Sequence, residues 1–176
     1  MRNKLSAISN KLSASKGFTL IELIISFGIL TVLLSVLMGI FGSILDVQLE
    51  SKAKSSIDQD VRYILAKLGY DMHAASSIET PENPGPSTSL ILTNSLDSIN
   101  YTYSLDANNN LQIVNNNTSE VNVLNSIDDS ISNLNFERVG AGGSDDTIRV
   151  TFTIQSKIKR PSGQETRSIQ TTLGLP

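Results

Sequence analysis

The chain has 176 residues, a formal net charge of −3, no cysteine and one histidine, His73. This composition excludes disulfides, thiolate metal sites and histidine-rich metal sites, and any Ser-His-Asp arrangement would have to use His73. The charge is unevenly placed. Residues 1–17 hold Arg2, Lys4, Lys11 and Lys16 and no acid, a head of +4, while the rest holds ten basic and seventeen acidic side chains, a body of −7. An acidic body argues against nonspecific nucleic-acid binding, and nucleic acid is not expected as a partner.

A basic head before an apolar run is a membrane-topology signal that keeps the head on the cytoplasmic side. Leu23 to Leu45 is 23 residues without a formal charge. As a helix it would span about 34 Å, enough to cross the lipid bilayer. It exceeds the ~7–15 apolar residues of a cleaved secretory signal, whose small-residue cleavage site follows the run rather than preceding it.

Glu22 sits at the lip of this run. An ionisable group near bilayer depth is costly and is usually paired. No basic residue follows until Lys52. If the leader is removed after Gly17, a new α-amino group appears at Phe18. A neighbouring copy shifted along the helix axis would then present that amine to the carboxylate, and the pair would be intermolecular.

The stretch KGFTLIELIISFGILTVLLSVLMGIF, Lys16 to Phe41, resembles the class III signal and N-terminal helix of bacterial type IV pilins and of type II secretion pseudopilins. The features that carry the resemblance are the basic leader ending in Gly17, then Phe18, Thr19, Leu20, Ile21 and Glu22, and the uninterrupted apolar run. The resemblance implies cleavage between Gly17 and Phe18 by a membrane-embedded prepilin peptidase. It also implies N-methylation of Phe18 and a role for Glu22 in assembly and register. Implied partners are other pilin or pseudopilin subunits, the prepilin peptidase, an inner-membrane assembly platform and the lipid bilayer. The implied location is the bacterial inner membrane, single-pass with the leader cytoplasmic and the head extracytoplasmic, and then a pilus or pseudopilus. Many major pilins have a helix-breaking proline where this chain has Gly39. Ser35, Gly39 and Ser43 have a small-xxx-small spacing that lets helices approach closely.

Beyond the membrane, Ile57, Val61, Ile64, Leu68, Met72 and Ala75 recur at helical period. One helix is expected from about Thr19 to Ser77, apolar all round at first and one-sided afterwards. The expected organisation is a leader over 1–17, a transmembrane or filament-core helix over 18–45, an amphipathic extension over 46–79 and a β-rich head over 80–176. His73 and Tyr70 are expected on the helix surface. The proline-rich stretch Thr80 to Ser89 reads as a loop.

Strands are expected in SLILT, INYTYSLD, LQIV, VNVL and ISNLNFERV. In DTIRVTFTIQSKIK, the side chains Ile148, Val150, Phe152, Ile154 and Ile158 alternate with polar ones, and TRSIQTTLGL closes a hairpin with Ile169, Thr171 and Leu173 on one side. The expected fold class is α+β, a long N-terminal helix whose second half packs on an antiparallel sheet. This layout is similar to that of minor pseudopilins.

Asp106, Asn108 and Asn110 imitate the opening of a calcium loop, but Leu111 and Asn117 stand where an EF-hand needs glycine and glutamate. A hairpin turn is the expectation there. Asp128–Asp129 and Asp145–Asp146 are acid pairs expected in solvated loops. Asn100 and Asn116–Asn117 fit glycosylation triplets that an asparagine-rich chain produces by chance. KIKR, Lys157 to Arg160, is expected as a solvated turn. No cofactor, metal or catalytic residue is expected, and the chain reads as a filament subunit rather than an enzyme. The alternatives are an adhesive or DNA-binding pilin and a signal-anchored extracytoplasmic enzyme.

Overall fold

The computed structural model describes residues 17–82, 85–96, 98–139 and 147–175. The leader through Lys16 and the pair Asp145–Asp146 lie outside the described residues. The chain falls into two units, Met1–Ser43 and Ile44–Pro176, and helix α1, Leu20–Ala74, contributes to both.

In the first unit every described residue of α1 is solvent-facing and apolar side chains point in all directions. Its most apolar 18-residue window has a mean hydropathy of 2.6 and none of that window is buried within the protein. Such a helix needs a nonaqueous surrounding or other copies of itself. Three hydroxyls in this stretch turn back on the helix: Thr31 Oγ1 donates to the Phe27 carbonyl at 2.8 Å, Ser35 Oγ to Val32 at 2.8 Å and Ser43 Oγ to Gly39 at 3.1 Å. These three are thus satisfied without water, as a lipid environment demands. The helix is continuous through Gly39 and Gly42.

In the second unit α1 becomes one-sided. Ile57, Val61, Ile64, Leu68 and Met72 are buried, as their spacing predicts, and Ala53 and Asp60 are buried with them. The stripe packs on two antiparallel sheets, where a single sheet was expected. The first has the order β1 (Ala75–Thr80), β3 (Leu90–Asn94), β4 (Asn100–Leu105), β5 (Leu111–Asn115) and β6 (Glu120–Val123). The second has the order β2 (Pro86–Ser87), β7 (Asp129–Arg138), β8 (Thr147–Ser156) and β9 (Thr166–Gly174). Both apolar faces join the helix stripe in one core. Leu92, Tyr103 and Ile113 come from the first sheet, and Phe136, Val150 and Phe152 from the second.

The helix ends at Ala74, three residues before the expected Ser77, and residues 75–80 form a strand rather than helix and loop. Nothing in Ser76–Ser77 forbids a further helical turn. Pairing with β3 decides it, with Ile78 opposite Leu92, and the last helical carbonyl, Ala74, accepts from the Ser95 N–H at 2.9 Å. The expected loop Thr80–Ser89 also holds the short β2, which pairs with β7.

The strongest strand pattern is realised in β8, where Ile148, Val150, Phe152, Ile154 and then Ser156 are buried. Ile158 falls beyond the strand. In β7 the alternation slips: Ile131 and Leu134 share the buried side although their spacing is odd. A bulge between Ser132 and Asn135 inserts the extra residue, and Asn133 absorbs it at φ 52°.

Candidate functional site at the amino-terminal junction

Gly17, Phe18 and Thr19 are exposed and nonhelical, and α1 begins at Leu20. The start is set by Thr19. Its Oγ1 accepts from the Glu22 N–H at 3.3 Å, and its carbonyl accepts from the Leu23 N–H at 3.1 Å. Threonine followed three positions later by glutamate is the pattern of a capping box, and this cap is worth about 1 kcal/mol. The sequence holds that signal in Thr19-Leu20-Ile21-Glu22. Glu22 therefore stands in the first turn, where the exposed N–H groups make the helix end electropositive.

The peptide bond between Gly17 and Phe18 lies in irregular, accessible backbone directly before this cap. Phe18 is 77% exposed. A Cβ placed on Gly17 would meet no atom within 4 Å, so nothing among the described residues requires glycine there. One helix end thus carries an exposed glycine junction, an apolar side chain and an acid.

The other candidates are placed differently. Asp106 is an Asx turn: its Oδ1 accepts from the Asn108 N–H at 2.7 Å and the Asn110 N–H at 2.8 Å, and its Oδ2 from Asn110 Nδ2 at 2.9 Å. These donors, the Asn110 backbone first and its side chain next, hold its carboxyl below the usual carboxylate range. This is the expected hairpin turn. Asp128 and Asp129 part company: Asp128 pairs with Lys52 at 3.5 Å, whereas Asp129 is turned into the interior and is fully buried, against the expectation of a solvated loop pair. The alternation of β7 forces this, since Asp129 shares the buried side with Ile131. Among the described residues, no three His, Cys, Asp or Glu side chains are grouped to hold a metal ion. His73 and Tyr70 are exposed in the last turns of α1.

KIKR is partly consumed inside the unit. Arg160 pairs with Glu165 at 3.0 Å and Glu50 at 3.8 Å and its side chain is 7% exposed, so only part of the motif is a solvated turn. Lys157 Nζ donates to the Ile127 carbonyl at 3.2 Å. Arg167 pairs with Asp58. Arg160 and Arg167 thus face Glu50 and Asp58 of α1 in the same chain.

Sequence reasoning gave Asn125 no part. It is buried, its Oδ1 accepts from the Leu111 N–H at 2.8 Å, and its Nδ2 donates to the carbonyls of Ser126 at 3.0 Å and Asp129 at 3.1 Å. It joins the start of β5 to the start of β7, and so one sheet to the other. In a chain with so many loop asparagines no local signal singles it out.

A capped helix, apolar beyond Glu22, whose amphipathic continuation packs on antiparallel sheets defines an α+β, pilin-like architecture. Residues 12–38 match the family described as the prokaryotic N-terminal methylation motif. The match spans the Gly17–Phe18 junction and Glu22, and it supports a prepilin-type substrate of the pilin and pseudopilin class. The same motif points to other pilins and a prepilin peptidase as partners in general, and with the apolar helix it is consistent with inner-membrane anchoring. Neither curated proteins nor solved structures yield a match.

Proposed function

We propose that the chain is a minor pilin or pseudopilin, a structural subunit and not an enzyme. It is cleaved between Gly17 and Phe18, N-methylated at Phe18, and assembled from the inner membrane into a pilus or pseudopilus. The head faces the extracytoplasmic side, and the amine of processed Phe18 pairs with Glu22 of an adjacent subunit. The observation that carries this reading is the junction itself: accessible irregular backbone at Gly17–Phe18, then a helix whose first turn holds an acid and whose next turns are apolar on every side. Among the described residues no atom lies within 4 Å of a Cβ placed on Gly17, which supports a requirement set by a peptidase. Extraction of the helix from lipid into a bundle of similar helices exchanges one apolar environment for another, so a single buried charge pair suffices to bias register.

The test is intact mass and N-terminal sequencing of the chain expressed with and without a prepilin peptidase, for wild type and Glu22→Ala. Both are expected to begin at methylated Phe18 when the peptidase is present. The alanine variant is expected to be depleted from sheared filaments, while its helix start survives because the cap uses the backbone N–H of residue 22. A polypeptide that still begins at Met1 beside an active peptidase would refute the processing. Equal filament incorporation of the variant would refute the register role.

A further inference from the structure

Asp60 lies on the buried stripe of α1, and Asp129 opens β7. Asp60 is 9% exposed and Asp129 fully buried. Ser56 Oγ, one turn before Asp60, donates to Asp129 Oδ2 at 2.8 Å. The Ser126 N–H donates to Asp60 Oδ2 at 2.7 Å. Ser56 Oγ and Ser126 Oγ lie 3.3 Å apart, so the two serines hold the carboxyls as neighbours, yet Asp129 Oδ1 has no donor among the described residues. No lysine or arginine among the described residues pairs with either acid. Lys52, at the rim beside Ser56, is taken by Asp128 at 3.5 Å, and Lys157, on the β8 side, by the Ile127 carbonyl at 3.2 Å.

Two ionised carboxylates in contact, buried and without a cation, are strongly disfavoured. Something must neutralise one of them. A divalent cation would need about six or more oxygen ligands, and the third nearby acid, Asp128, is turned away to Lys52. One proton needs only the two neighbouring carboxyls, and on Asp129 it would give a hydrogen-bonding role to a carboxyl whose Oδ1 is otherwise without a partner among the described residues. Ser56 and Ser126 line a surface groove with Lys52 and Asp128, which gives the pair a route to solvent.

We infer that Asp60 and Asp129 share one proton and clasp the amphipathic half of α1 to the start of β7, so that this attachment weakens when the pair releases it. Burial first, then the charge and proximity of Asp60, hold the Asp129 carboxyl above its usual value, against the opposing hydrogen bond of Ser56. The folded chain therefore keeps a proton that the unfolded chain releases near about pH 4. The pair's contribution is complete below that pH and is lost as pH rises through the elevated folded value. Each unit of elevation is a tenfold change in the folding equilibrium.

The test is thermal unfolding of the full chain in detergent from about pH 4 to about pH 8 for wild type, Asp129→Asn and Asp60→Asn. An asparagine amide donates where the shared proton would. Wild type is expected to lose melting temperature relative to Asp129→Asn as pH rises, with Asp60→Asn flattened in the same way. A gap between wild type and Asp129→Asn that does not vary with pH overturns the proposal. So does stabilisation of wild type by added calcium at the upper pH that Asp129→Asn lacks. If the variants do not fold, infrared spectra of wild type decide: a protonated carboxyl band persisting near neutral pH is expected, and its absence overturns the proposal.

Discussion

Replacing Asn125 with alanine removes four hydrogen bonds at once: from Leu111 N–H at 2.8 Å, to the carbonyls of Ser126 at 3.0 Å and Asp129 at 3.1 Å, and to Asn110 Oδ1 at 3.3 Å. The costs differ. The Leu111 N–H is left buried without its acceptor, which costs about 1–3 kcal/mol. The two backbone carbonyls lose one donor each, at about 0.5–1 kcal/mol apiece, since a carbonyl has a second lone pair. Asn110 is half-exposed and regains water. The expected total is about 2–5 kcal/mol, or a fall in melting temperature on the order of 10 °C for a unit of this size. Tyrosine fluorescence is a suitable signal, because the chain has no tryptophan and Tyr103 is fully buried. The control is Asn122→Ala on exposed β6, expected within about 0.5 kcal/mol of wild type. A loss for Asn125→Ala no larger than the control's would refute the assignment of Asn125 as the joint between the sheets.

Ile64→Ala, at the centre of the helix stripe and fully buried, is expected to cost about 2–5 kcal/mol in the same melts; a loss below that of Asn122→Ala would place the core elsewhere. The Asp106 carboxyl is held low by its Asn110 and Asn108 donors, so its stabilisation is present above the unfolded value of about 4 and is lost as pH falls through the lower folded value. Asp106→Asn is therefore expected to lessen the loss of melting temperature on acidification below about pH 4. Parallel acid profiles for wild type and variant would count against the turn.

The junction was legible in the sequence because its parts are neighbours. Gly17, Phe18, Thr19 and Glu22 lie within one turn of a helix end, and the apolar run that follows needs no tertiary partner to declare itself. The stripe of α1 was legible for a related reason: Ile57 through Met72 repeat at the period of the helix that they stabilise. The alternation in β8 announced which side would be buried, since a strand allows only two sides.

What the sequence concealed depends on meetings between distant segments. The end of α1 at Ala74 follows from the pairing of Ile78 with Leu92, not from any breaker in Ser76–Ser77. The division of the strands into two sheets, and the bulge at Asn133 that lets Ile131 and Leu134 face one core, are register choices. Burial made the same kind of choice among like residues. It set Asn125 apart from the other asparagines and Asp129 apart from Asp128. Local spacing by itself determined the membrane helix, its charged lip and the amphipathic stripe, because helical period and lipid solubility are properties of contiguous residues. Only the tertiary structure decided which polar side chains would be taken out of water, because desolvation depends on what arrives from elsewhere in the chain.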